Sequence, residues 1–177
     1  MDQLISSIPI VQVVGFKNCG KTSIIENVVS SLGKKGIGVG VIKHHGHGGS
    51  PDSIDQEGTD THRFQQAGAV VSSVEGEGIV QLQMHIGINN PLPLLISVYQ
   101  QLNSVDLIIV EGYKDAPYPK VIVYKTASEM SELLELSNVI GLIGQSMSGN
   151  CGFSVPEFSF QKPEAYIRFF EEYIRRS

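Results

Sequence analysis

The stretch Gly15-Phe16-Lys17-Asn18-Cys19-Gly20-Lys21-Thr22 has the spacing G-x-x-x-x-G-K-[ST], the pattern of a loop that wraps phosphates. Gly15 and Gly20 let the backbone turn tightly and come close to a ligand. Successive N–H groups can then point inward as an anion nest. Lys21 offers a cation to the β- and γ-phosphates, and Thr22 offers a hydroxyl to Mg2+. Asn18, Cys19 and Ser23 complete the candidate binding stretch, with Cys19 expected to serve by being small. Lys17 either reaches a phosphate or is solvated. A glycine-rich turn holding no ligand is the alternative.

Such a site wants an acid at the carboxyl end of a neighbouring strand. The stretch VDLIIVEGYK contains Asp106 and Glu111, which an extended chain holds roughly 16 Å apart. Ligands of a parallel sheet gather at its carboxyl edge, so Glu111 is the candidate for Mg2+, for water or for a supporting role. Asp106 reads as a solvent-facing strand start. In GTDTHRFQQAGA, Asp60 and Arg63 fall on neighbouring positions of a helix. They read either as a metal-side carboxylate with a phosphate-side, catalytic guanidinium, or as a surface ion pair. KHHGHGG places His44, His45 and His47 beyond a second strand. These imidazoles could hold a transition metal or contact substrate together with Lys43, or simply be solvated.

These residues need a scaffold, and the apolar pattern supplies one. Residues 8–14 read as a buried strand ended by Gly15. Ile24, Ile25, Val28, Val29 and Leu32 recur at helical spacing over 21–34, before Gly33 and Gly36. That helix begins at the phosphate loop, so its positive end faces the anion. Residues 37–42 form a second strand, expected to pair in parallel with the first across a right-handed crossover. A loop over 44–58, a short helix over 59–67, a hairpin over 70–85 turning at Glu75-Gly76-Glu77-Gly78, and a helix over 91–102 follow. Strands are expected at 105–110, 120–124 and 139–143, and helices at 130–136 and 163–176. The whole reads as an α/β fold of the P-loop NTPase class, with a mainly parallel sheet, helices on both faces and a β-hairpin insertion. A single domain of 177 residues is expected, with the insertion at about 70–86 and a C-terminal helix at about 163–176.

Composition narrows the partners. A net charge of −5 argues against a general nucleic-acid or anionic-membrane surface. Two cysteines, Cys19 and Cys151, are too few for a secreted disulfide scaffold, which favours a reducing compartment. No apolar run reaches the about 20 residues that span a bilayer. The first residues lack the pattern of a signal peptide. A cytoplasmic location is expected.

The set in this order (strand, GFKNCGKT, helix, KHHGHGG, GTDTHRFQQAGA, LIIVEGYK) resembles the molybdopterin-guanine dinucleotide biosynthesis protein B family over roughly residues 8–125. The resemblance implies a homodimeric GTP-binding P-loop protein with weak GTPase activity. It implies work beside the molybdenum cofactor guanylyltransferase that attaches GMP to molybdopterin, with other molybdenum cofactor enzymes as further partners. The expected role is an adapter that supplies GTP or hands on the molybdenum cofactor. Mg2+ and GTP are the implied cofactors, and molybdopterin is a further candidate ligand. By the same resemblance Lys21 and Thr22 contact phosphate and Mg2+, Asp60 and Glu111 are metal-side acids, and Arg63 is the nearby arginine. His44 joins the candidate binding set.

No Asn-Lys-x-Asp guanine-reading stretch occurs in the chain, so guanine preference is implied by the resemblance alone. VIGLIG continues into Gln145-Ser146-Met147, where the family tends to carry an acid near the base. No water-positioning Gln or general base stands out, and the expectation is tight binding with slow turnover. A nickel-inserting metallochaperone GTPase and a small-molecule P-loop kinase remain as alternatives.

Overall fold

The computed structural model describes residues 8–45, 57–145 and 154–176. The chain divides into two compact units, one comprising residues up to 46 and from 95 onward, the other residues 47–94.

In the first unit, β1 (Ile10–Val14) leads through the glycine-rich loop into α1 (Lys21–Gly33), followed by β2 (Val39–Lys43). The second unit holds α2 (Asp60–Gln66), β3 (Val71–Gly76) and β4 (Ile79–Met84). α3 (Leu92–Gln100) starts in the second unit and ends in the first. The remaining elements are β5 (Leu107–Glu111), β6 (Lys120–Tyr124), α4 (Ala127–Leu133), β7 (Val139–Gly144), β8 (Glu157–Ser159) and α5 (Pro163–Arg176).

Six strands form one sheet in the order β2-β5-β1-β6-β7-β8, and every pairing in it is parallel. β1 and β2 share this sheet but are not the adjacent pair expected from the sequence, because β5 lies between them. Burial explains the order. Leu107, Ile108, Ile109 and Val110 of β5 are fully buried, so this strand needs cover on both faces. β2, with two partly exposed valines, a glycine and an exposed lysine, tolerates the edge.

The two faces separate by residue parity, as a period of two requires. Val11, Val13, Val121, Val123, Leu107 and Ile109 pack with Ile24, Val28 and Leu32 of α1 and with Tyr166 and Phe170 of α5. Val14, Ile122, Tyr124 and Leu142 pack with Met130 and Leu133 of α4. Asn27 donates to the Tyr166 hydroxyl at 2.8 Å, and Lys35 pairs with Glu171, so α1 and α5 are also joined by polar contacts.

Local chemistry sets the ends. α4 begins at Ala127, earlier than its apolar pattern suggests, because Thr126 accepts from the Glu129 N–H while the Glu129 carboxylate accepts from the Lys125 N–H. This resembles a capping box, with the back-bond reaching one residue before the cap. α5 opens on Pro163, at a position where a missing N–H costs nothing. Asp106 is exposed, as expected, and its carboxylate also accepts from the Gly38 N–H at 2.7 Å, tying the start of β2. β8 was not anticipated from the sequence: its three residues are too few to show a period.

Within the second unit, Thr59 caps α2 by accepting from the His62 N–H. Gln65 donates to Ser72 at 2.6 Å, joining α2 to β3. β3 and β4 pair antiparallel through Gly76 and Ile79, and Glu77 and Gly78 between them both have positive φ, as a tight hairpin turn needs. Val71, Val74, Ile79, Val80 and Leu82 are exposed on this hairpin.

Phe170 is fully buried between α1 and the sheet. Phe170→Ala is expected to lower unfolding free energy by about 3–5 kcal/mol in urea titrations. Arg176→Ala, on the exposed end of the same helix, is expected to change it by no more than about 0.5 kcal/mol.

Candidate functional site

The phosphate-type loop spans from the carboxyl end of β1 to the first residue of α1. Gly15 is buried beneath it, and a Cβ there would run into the Val123 carbonyl of β6 and the Cys19 sulfur. Gly20 takes φ +101 as the N-cap of α1, a conformation costly for other residues. Asn18 also has positive φ, at 60, and tolerates it better than most side chains. The first turn of α1 carries no acid, so nothing on the helix itself offsets the positive end of its dipole.

Lys21 folds back over the loop. Its ammonium donates to the Phe16 carbonyl at 2.7 Å and the Gly15 carbonyl at 3.2 Å. Thr22 and Ser23 are exposed on the first turn, and Lys17 and Asn18 on the loop. Cys19 is completely buried. Burial pushes its thiol pKa up, against the opposing pull of Lys21, so it remains a neutral filler at pH 7, as its size suggests.

Glu111 ends β5 at the same edge. It pairs with Val13 of β1 on one side and Lys43 of β2 on the other. It is partly buried, and among the described residues its carboxylate has neither an ion pair nor a hydrogen bond. An exposed threonine hydroxyl and a carboxylate at one sheet edge are hard oxygen donors of the kind Mg2+ takes. The His44 N–H donates to the Glu111 carbonyl at 3.0 Å, and the His44 ring lies 4.3 Å from that of Tyr113. The structure therefore brings together the phosphate-type loop, Glu111, Lys43 and His44.

Asp60 and Arg63 belong to the second unit. There they face each other at 3.4 Å, both strongly exposed. Among the described residues no group of three His, Cys, Asp or Glu could hold a metal ion. His47 lies outside the described residues, as do Ser146, Met147 and Cys151.

Sequence reasoning missed the supports beneath this edge. Gln12, the one polar residue of β1, is fully buried. Its amide donates to the carbonyls of Gly112 and Tyr113 at 3.0 and 2.7 Å. Lys120, its register partner on β6, is also fully buried, and donates to the carbonyls of Ala116 and Tyr118 at 2.5 and 3.1 Å. These two side chains hold both halves of the loop that follows Glu111. Lys114 of that loop stands 4.4 Å over the Phe16 ring, a cation–π contact that links it to the phosphate-type loop. The legible signal was a lone glutamine inside an apolar strand, since a buried polar group must find partners.

The family described as molybdopterin guanine dinucleotide synthesis protein B matches residues 10–145. A Bacillus subtilis (strain 168) protein described as a probable molybdopterin-guanine dinucleotide biosynthesis adapter protein is 44% identical over 140 residues, 79% of this chain and 78% of its own. The crystal structure of Bacillus subtilis MobB is similar with a TM-score of 0.75 and 39% identity, covering 93% of this chain and 97% of that one. The structure of a MobB protein homolog from Bacillus stearothermophilus has a TM-score of 0.74 at 29% identity, covering 95% and 99%.

Burial lowers the Lys120 pKa below its usual 10.5, with Asp115 acting weakly the other way. Between the lowered native value and 10.5 the unfolded chain binds more protons than the native one, so this lysine makes stability rise with pH there. Urea titrations of wild type and Lys120→Met from pH 7 to pH 10.5 are expected to show the wild type gaining on the variant as pH rises. A constant difference would contradict the assignment.

Proposed function

The chain belongs to the molybdopterin guanine dinucleotide synthesis protein B family, and on that premise we propose that it is a GTP-binding adapter in molybdopterin-guanine dinucleotide biosynthesis, with weak GTPase activity at most. The observation that carries the nucleotide part is the position of Lys21. Its ammonium is held at the loop by two neutral carbonyls. Phosphate oxygens are charged acceptors and compete for it with stronger hydrogen bonds. The loop N–H groups and the start of α1 would surround the same anion.

Thr22 and Glu111 are the residues of this edge that would hold Mg2+, which when bound neutralises charge on the phosphates. Lys21 orients the triphosphate and offsets part of the charge that grows during transfer. Fast hydrolysis also needs a positioned water, which a partner would supply. This favours carrying a nucleotide over cutting it.

The same reading includes a homodimer, a partnership with the guanylyltransferase that attaches GMP to molybdopterin, and a cytoplasmic setting. The exposed valines and leucine of the β3–β4 hairpin support an interface with another chain. Molybdopterin is a further ligand for the binding test. Among the described residues no helix is long and apolar enough to cross a membrane.

Equilibrium binding of GTP, ATP and molybdopterin, with and without Mg2+, tests the proposal. Lys21→Ala is expected to weaken GTP binding by about 10- to 100-fold, the worth of a charged hydrogen bond, while leaving guanosine binding unchanged. Equal loss of both would mean that the lysine holds the loop's shape. Single-turnover GTP cleavage at tens per second by the pure protein would refute the carrier reading.

A further inference from the structure

The residues assigned to the nucleotide site above meet the phosphates, and among the described residues none has yet been assigned to the base. The two ends of the site can be told apart by strand order. Glu111 and Lys43 end β5 and β2, both on one side of β1. A metal-side acid belongs beside the terminal phosphates. The nucleoside is the opposite end of the ligand, so it extends over the other side of β1, where β6, β7 and β8 end.

The last of these strands turns back toward the loop. Phe160 follows β8 directly, and its N–H donates to the Gly144 carbonyl of β7 at 2.8 Å. Its ring stands against Gly20: a Cβ on that glycine would lie 2.6 Å from Phe160 Cε2 and 3.1 Å from Cζ. The ring is only partly buried. Beyond it, the Gln161 N–H donates to the Ser159 hydroxyl at 3.2 Å, and the Lys162 N–H donates to the Ser159 carbonyl at 3.1 Å. This tight turn ends at Pro163, the first residue of α5. Its backbone donors are engaged, which leaves the exposed side chains of Gln161 and Lys162 as the groups available to a ligand.

We infer that Phe160, Gln161 and Lys162 form the nucleoside wall of the site. The inference rests on the proposal that the glycine-rich loop binds a nucleoside triphosphate. The Phe160 ring offers an apolar face to the ribose and base. The Lys162 ammonium, a donor without acceptor capacity, favours guanine, which presents acceptors at both O6 and N7. Adenine presents a donor at its 6-position. This chain then prefers guanine without an Asn-Lys-x-Asp stretch.

The test measures dissociation constants for GTP, ATP and inorganic tripolyphosphate, each with Mg2+, on wild type, Phe160→Ala and Lys162→Ala. Wild type is expected to bind GTP more tightly than tripolyphosphate. Phe160→Ala should weaken GTP by about 5- to 100-fold, the range of one base–aromatic contact, and leave tripolyphosphate within about twofold of wild type. Lys162→Ala, an exposed change that leaves the fold intact, should shrink the GTP-over-ATP preference about fivefold or more. Equal weakening of GTP and tripolyphosphate by Phe160→Ala would mean that the ring only supports Gly20, and would overturn the inference. So would an unchanged GTP-to-ATP ratio in Lys162→Ala. If wild type binds tripolyphosphate as tightly as GTP, the nucleoside wall falls while the phosphate site stands. If wild type binds neither, the phosphate site itself is wrong, and the wall goes with it.

Discussion

The site depends on one close approach: the backbone at Gly15 lies against the Val123 carbonyl, with no room for a side chain between them. That contact seats the glycine-rich loop on the carboxyl ends of β1 and β6, and α1 starts immediately after it. The loop therefore cannot slide relative to the sheet. An all-parallel sheet then delivers every strand end to the same edge, and the exposed groups of several loops converge on one place. Lys21, Glu111, Lys43 and His44 meet there although up to 90 positions separate them in the chain.

Holding such an edge open has a cost, because the loop after Glu111 carries many carbonyls above an apolar sheet. Gln12 and Lys120 meet that cost from below. Each is a fully buried polar side chain on the α4 face of the sheet, and each donates to two carbonyls of the loop. A buried ammonium without a carboxylate partner is expensive; here neutral carbonyl dipoles solvate it in place of water. Further contacts tie the loop after Glu111 to the glycine-rich loop on one side, by Lys114 on Phe16, and to the end of β2 on the other, by Tyr113 on His44.

Much of the scaffold was legible before any coordinates. β6 and α5 have the limits read from the sequence, and β1, α1, the hairpin and β7 lie within two residues of theirs. Short apolar runs and helical spacing are strong signals when the core lies on both sides of a sheet. Less was legible where local chemistry overrides periodicity. α4 starts where Thr126 and Glu129 cap it rather than where its apolar stripe begins. β8 is too short to carry a pattern. The adjacency of β1 and β2 was misjudged because sequence neighbours need not be sheet neighbours, and β5 is the more apolar strand.

The amino-acid order alone determined the phosphate-type loop, the helix that opens on it, the acid at the end of an apolar strand and the family. Each motif is encoded in residues close together, and the family in the order of those motifs, so both survive without knowledge of the fold. Only the tertiary structure decided that Gln12 and Lys120 support the loop after Glu111, that Lys21 rests on its own loop's carbonyls, and that Phe160 returns to Gly20. The contacts of Gln12 and of Phe160 close over 100 residues or more of intervening chain. They follow from strand order and parallel register, which arise from burying both faces of the sheet at once and leave no trace in local spacing.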